Sequence, residues 1–186
     1  ALSSAASDVY KRQNAAWQDA GYYSLAQLSA ARGDWEEALY EIDKSLLRNW
    51  HNLRGRHLKA AILRHLGRKD EALVLIEDSL RIDRFNFGCG FEKYLITGVE
   101  ADLKELLALM RPEAHNYEEL ALDYASAGCW EEALMAAETA IGQNVSGQTM
   151  LHYYKSWFLI QLDRKEEALA AIREAEQQLS LIHISE

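Results

Sequence analysis

One short element returns four times along this chain: GDWEEAL at 33–39, GRKDEAL at 67–73, GCWEEAL at 128–134 and DRKEEAL at 163–169. The alanines inside it, Ala38, Ala72, Ala133 and Ala168, are spaced by 34, 61 and 35 residues. The long interval holds two periods, the second about seven residues short, and residues 87–113 supply that degenerate repeat. A period near 34 residues is too long for one ordinary helix and too short for a domain. It marks tandem helical hairpins, none of which buries its apolar face without its neighbours. The repeats are expected at 19–52, 53–86, 87–113, 114–148 and 149–178.

The local physics agrees with the period. Apolar residues recur at helical spacing ahead of the element, as in YYSLAQLSAA (22–31) and LKAAILRHL (58–66). Gly33, Gly67 and Gly128 then end the helix at the left-handed cap position. The acids of WEEAL and DEAL follow in the first turn of the next helix, where free amide donors favour negative charge. Alanine at the repeated position fits a close crossing, where a larger side chain costs about 1–3 kcal/mol. The expected helix pairs are 15–31 with 35–48, 53–66 with 69–82, 87–97 with 99–110, 114–127 with 131–143, and 149–162 with 165–178. Pro112, the one proline, ends the short third repeat, because the residue before a proline avoids helix. Trp35 and Trp130 share one repeat position with Lys69 and Lys165, which suits a partly exposed packing site.

These residues resemble the tetratricopeptide repeat (TPR) family. Tyr22, Leu25, Ala26, Gly33, Trp35 and Ala38 match its pattern in the first repeat, and Ala60, Gly67 and Ala72 in the second. Tyr117, Leu120, Ala121, Tyr124, Gly128, Ala133 and Ala140 match in the fourth, and Leu159, Ala168 and Ala175 in the fifth. The resemblance implies an all-α fold, a right-handed α-α superhelix of about five hairpins with the third shortened. The proline that commonly closes each family repeat is replaced here by Trp50 and Arg84. A narrower resemblance, in segments 51–73, 115–134 and 150–169, is to the C-terminal half of certain large bacterial proteins. Those begin with a β-sandwich domain similar to sugar mutarotases. It implies an accessory role beside a carbohydrate-processing or sugar-binding domain.

Composition narrows the function classes. The formal net charge is −9, and no basic face is visible to bind a nucleic-acid backbone. No apolar run reaches the ~18 residues of a membrane span, and a cytoplasmic setting is favoured. Cys89 and Cys129 sit forty residues apart, outside any CxxC pair, and read as buried thiols. There is no GxxxxGK, HExxH or GxSxG motif, so no cofactor, metal or catalytic residue is assigned. His57 and His65 can share a helix face, but a metal would need further ligands from other helices. The recurring Glu pairs read as helix-start acids.

Candidate ligand contacts fall on the first helix of each pair, the usual ligand face of such arrays. These are Tyr23 and Gln27 in the first repeat, Arg54, His57, Arg64 and His65 in the second, and Tyr153 and Trp157 in the fifth. Arg54, His57 and Arg64 form a stripe at spacings of three and seven. It either receives carboxylates of an acidic peptide or pairs with neighbouring Asp and Glu. Tyr153 and Trp157, four apart, suit either a peptide or sugar platform or packing against a further repeat. The expected function is a non-catalytic scaffold that takes a protein, a peptide or a neighbouring domain in its concave groove.

The two ends read differently. Asp8 to Gln13 is what GAT GTG TAT AAG AGA CAG encodes, and the reverse complement of that string encodes Leu179 to Ile184. The string resembles the transposon-end adapter of tagmentation libraries. Residues 1–13 and 179–186 are therefore expected to be adapter-derived, leaving 14–178 as the repeat domain. The LSLIHI run is expected to continue the last helix or lie loosely over it.

Overall fold

The computed structural model describes the backbone of residues 18–184 and the side chains of residues 18–177. The run at 1–13 lies outside the described residues. The described chain is all-α: α1 (18–31), α2 (Trp35–Arg48), α3 (Leu53–His65), α4 (Lys69–Ile82), α5 (Phe87–Thr97), α6 (Glu100–Met110), α7 (Ala114–Ser126), α8 (Trp130–Gly142), α9 (Thr149–Gln161) and α10 (Lys165–Ile184). These are five TPR-like hairpins, and the third is the short one, with 11 residues in each helix. The backbone of 179–184 continues α10 as helix.

The turns explain why the helices stop where they do. Gly33, Gly67 and Gly128 take φ of 79°, 74° and 70°, the left-handed region that a Cβ disfavours. In the fifth hairpin Asp163 holds the same place at φ 57°. Gly98, also left-handed, ends α5, and Arg111 at φ 58° ends α6 directly before Pro112. Asn52 and Asn86 cap α3 and α5 by accepting from the amides of Gly55 and Cys89, a satisfaction that typically contributes ~1 kcal/mol.

The chain divides into two compact units, with the boundary inside α6 after Lys104. In the first, α2 packs on α3, α3 on α4 and α4 on α5, while α3 also touches α5. In the second, α7, α8, α9 and α10 pack in succession, and α7 touches α9. Within each unit first helices therefore meet, α3 with α5 and α7 with α9, as stacked hairpins require. Ala26, Ala38, Ala60 and Ala72 are wholly buried in the first unit; Ala121 and Ala133 are so in the second, with Ala168 nearly so. Ile42, Ile62, Ile76 and Phe91 fill the space around the first set, and Tyr117, Tyr124, Leu151 and Phe158 around the second. Trp35 and Trp130 are half-buried.

Candidate binding surfaces

The interior of the first unit carries charge that the repeat does not demand. Arg56 on α3 is fully buried. Its Nε donates to Ser79 Oγ at 2.7 Å, Nη2 donates to the Asp78 carboxylate, and Nη1 donates to the Trp50 carbonyl at 3.4 Å. The guanidinium lies 4.3 Å from the centre of the Trp50 ring, and Ser79 Oγ donates its own proton to the Leu75 carbonyl. A buried charge persists only when it is paired and hydrogen-bonded, and this one is. Nearby, burial pushes the Cys89 thiol up to about 12, so it stays protonated and is no nucleophile.

Of the residues nominated on α3, Arg54 and His65 are exposed, Arg64 is half-buried and His57 is buried. His57 packs under α5 so closely that a Cβ on Gly88 would stand 2.2 Å from the imidazole Cγ. Burial, then the charges of Arg64 and Arg54, lower its pKa to about 4. Arg64 donates twice to Glu92, at 2.7 and 3.2 Å, and that carboxylate is fully buried. Of the two readings of the stripe, pairing with a neighbouring acid describes Arg64. His65 stacks on Trp35, with centroids 4.1 Å apart and planes 2° from parallel. On α1, Gln27 Nε2 donates to the Tyr23 hydroxyl at 3.3 Å, and both residues are half-buried.

The second unit presents a different face. Tyr153 and Trp157 point the same way along α9, together with Met150 and Ile160, which sequence reasoning missed. Met150, Trp157 and Ile160 are 48%, 40% and 51% exposed. Trp157 and Trp130 meet edge to face with centroids 5.5 Å apart, and the Trp157 ring lies 5.3 Å from that of Phe158. The opposite side of α9 buries Leu151, Phe158 and Leu159. The spacing 150, 153, 157, 160 was a readable helical stripe; attention to aromatics alone hid its aliphatic ends. Also buried is His152, 3.2 Å from Glu174; burial lowers its pKa more than the carboxylate raises it.

No protein-family profile and no curated protein matches the chain. Solved structures do. The protein TTC0263, a thermophilic TPR protein of Thermus thermophilus, is 18% identical with a TM-score of 0.50, over 86% of this chain and 91% of that one. This chain has a TPR-like fold. Two other TPR-like matches extend the comparison. MamA from Desulfovibrio magneticus RS-1, residues 41 to the end, is 17% identical with a TM-score of 0.43, over 86% and 94%. YrrB, described as a TPR protein with an unusual peptide-binding site, is 19% identical with a TM-score of 0.40, over 83% and 82%. At these identities the likeness speaks for the fold alone. Among the described residues no helix is long and apolar enough to cross a membrane.

Proposed function

We propose that this TPR-like chain is a non-catalytic binding scaffold that holds an apolar peptide, or a segment of a neighbouring domain, along α9. The observation behind this reading is that α9 is apolar on both sides. A surface helix ordinarily turns polar residues outward, yet opposite the buried Leu151, Phe158 and Leu159 the residues Met150, Trp157 and Ile160 stay about half exposed. Burying what remains of three such side chains contributes roughly 3 kcal/mol before the costs of association. That is enough to anchor a ligand that also makes flanking contacts. Tyr153 supplies a hydroxyl at the centre of the stripe. In the first unit Tyr23, Gln27, Arg54 and His65, all on first helices, are a separate candidate contact set.

The test begins with peptides selected from a random display library against the full chain. The winner is then titrated against the Trp157→Ser and Ile160→Ser variants. At least tenfold weaker binding, with an unchanged helical circular-dichroism signal, is expected for each. Equal affinity in both variants would place the ligand elsewhere.

A further inference from the structure

The first unit contains an open cavity of about 670 Å³ on the side of α3 opposite Arg54 and Arg64. The size falls within the range of ligand sites. Lys59 and Leu63 of α3 form one wall and Trp50, from the turn before α3, forms one end. The other wall is a single face of α4 from Asp70 to Arg81, contributing a residue or two per turn. That run is about 16 Å long at 1.5 Å per residue, a trough suited to an extended chain more than to a compact molecule. Its surface is apolar where a ligand would lie: Val74 is 68% and Trp50 48% exposed.

The charges around the trough are mostly spoken for. Lys59 is paired to Asp43 at 2.6 Å, and Arg81 approaches Asp78 at 3.5 Å. Asp78 also holds the buried Arg56, and Glu71 accepts two hydrogen bonds from Arg68. Asp70 is exposed and makes no ion pair among the described residues. Asp78 is one carboxylate facing two guanidiniums, so Arg81, 76% exposed, keeps its charge at one end of the trough, while Asp70 leaves an open carboxylate at the other. At the Asp70 end the apolar wall and the open carboxylate are complementary to an aliphatic side chain beside a cation. Arginine fits best, because its planar fork can meet a carboxylate with two hydrogen bonds.

We infer that the trough between α3 and α4 is a second docking site, for a partner-protein segment carrying an arginine next to an aliphatic residue. Trp50 builds it. Standing where the related repeats commonly carry proline, the indole covers the Arg56 guanidinium and closes one end of the trough. The site is separate from the α9 surface and does not depend on it.

The experiment titrates the isotopically labelled full chain with an acetylated, amidated Gly-Leu-Arg-Leu-Gly peptide. A parallel titration uses the same peptide with Glu in place of Arg. The basic peptide is expected to shift the amide resonances of Asp70, Val74 and Leu75 saturably, with weaker binding at high salt. The acidic peptide should leave them in place. Asp70→Lys and Val74→Glu, both at exposed positions, should weaken binding at least tenfold without changing the melting temperature by more than a few degrees. Trp157→Ser should bind the basic peptide like the parent, which separates this site from α9. The inference is overturned if neither peptide moves these resonances at millimolar concentration, if both move them alike, or if Asp70→Lys binds as tightly as the parent.

Discussion

The α3–α4 and α9–α10 hairpins lie 96 positions apart and use one plan for two surfaces. Ala72 becomes Ala168, Leu63 becomes Leu159, and the bridge from Lys59 to Asp43 returns as Lys155 to Glu138 at 3.0 Å. The buried Arg56 with its half-buried partner Asp78 returns as the buried His152 with the exposed Glu174. One face of the first helix changes completely: Arg54, His57, Ala61 and Arg64 give way to Met150, Tyr153, Trp157 and Ile160. The repeat dictates where helices cross and lets other positions vary, among them one interior polar position and the stripe along the first helix. At the interior position the two choices differ in kind. Arginine cannot shed its charge inside a protein, so its partner is obligatory; histidine can become neutral, so its partner is optional.

The largest expected effect breaks that symmetry. Asp78→Ala strands the Arg56 charge and should cost about 3 kcal/mol in urea denaturation of the full chain. Glu174→Ala should cost less than about 1 kcal/mol, because His152 simply stays uncharged. Equal losses would show that the two pairs do the same job.

Acid should act next, and on the first hairpin above all. The folded pKa of His57 is about 4 against an ordinary value of 6.5, so the unfolded chain binds its proton first. Stability from this group is full above pH 6.5 and drains as the pH falls, reaching a loss on the order of 3 kcal/mol near its folded pKa. His152 shifts in the same direction. Unfolding stability measured between about pH 7 and 5 should fall more steeply for the parent than for His57→Gln. Parallel curves would mean that His57 is protonated without penalty.

The smallest effect sharpens the comparison at the turns. Asp163 adopts at φ 57° the conformation that Gly67 adopts at φ 74°. Asp163→Gly should therefore stabilise the last hairpin by about 0.5–1 kcal/mol, read as a higher denaturation midpoint. A lowered midpoint would assign the Asp163 contact with Lys165, 2.9 Å long, more weight than its exposure suggests.

The fold was legible because its cause is periodic. Glycine turns, first-turn acids and crossing alanines each recur, and the described helix boundaries lie within a few residues of the expectation, with α10 running on through 179–184, one of the two courses expected for that run. The surfaces were less legible because their causes are not. Helical spacing put Arg54, His57 and Arg64 on one stripe, but only α5 decides that His57 is covered and that Glu92 waits for Arg64. Arg56 passed unnoticed since its repeat partners are Tyr22, Tyr117 and His152, residues of no common chemistry. A signal did exist: each of Tyr22, Arg56 and His152 meets a charged residue 22 positions on. Those residues are Lys44, whose ammonium is 5.6 Å from the Tyr22 ring centre, Asp78 and Glu174.

Each compact unit also owns one buried cysteine outside any disulfide, Cys89 in the first and Cys129 in the second. A thiol-reactive reagent reaches either sulfur only when the helices around it part. The rates at which the two are modified are therefore separate clocks for the opening of the two halves. A ligand that settles on α9 would slow one, and a ligand in the α3–α4 trough the other.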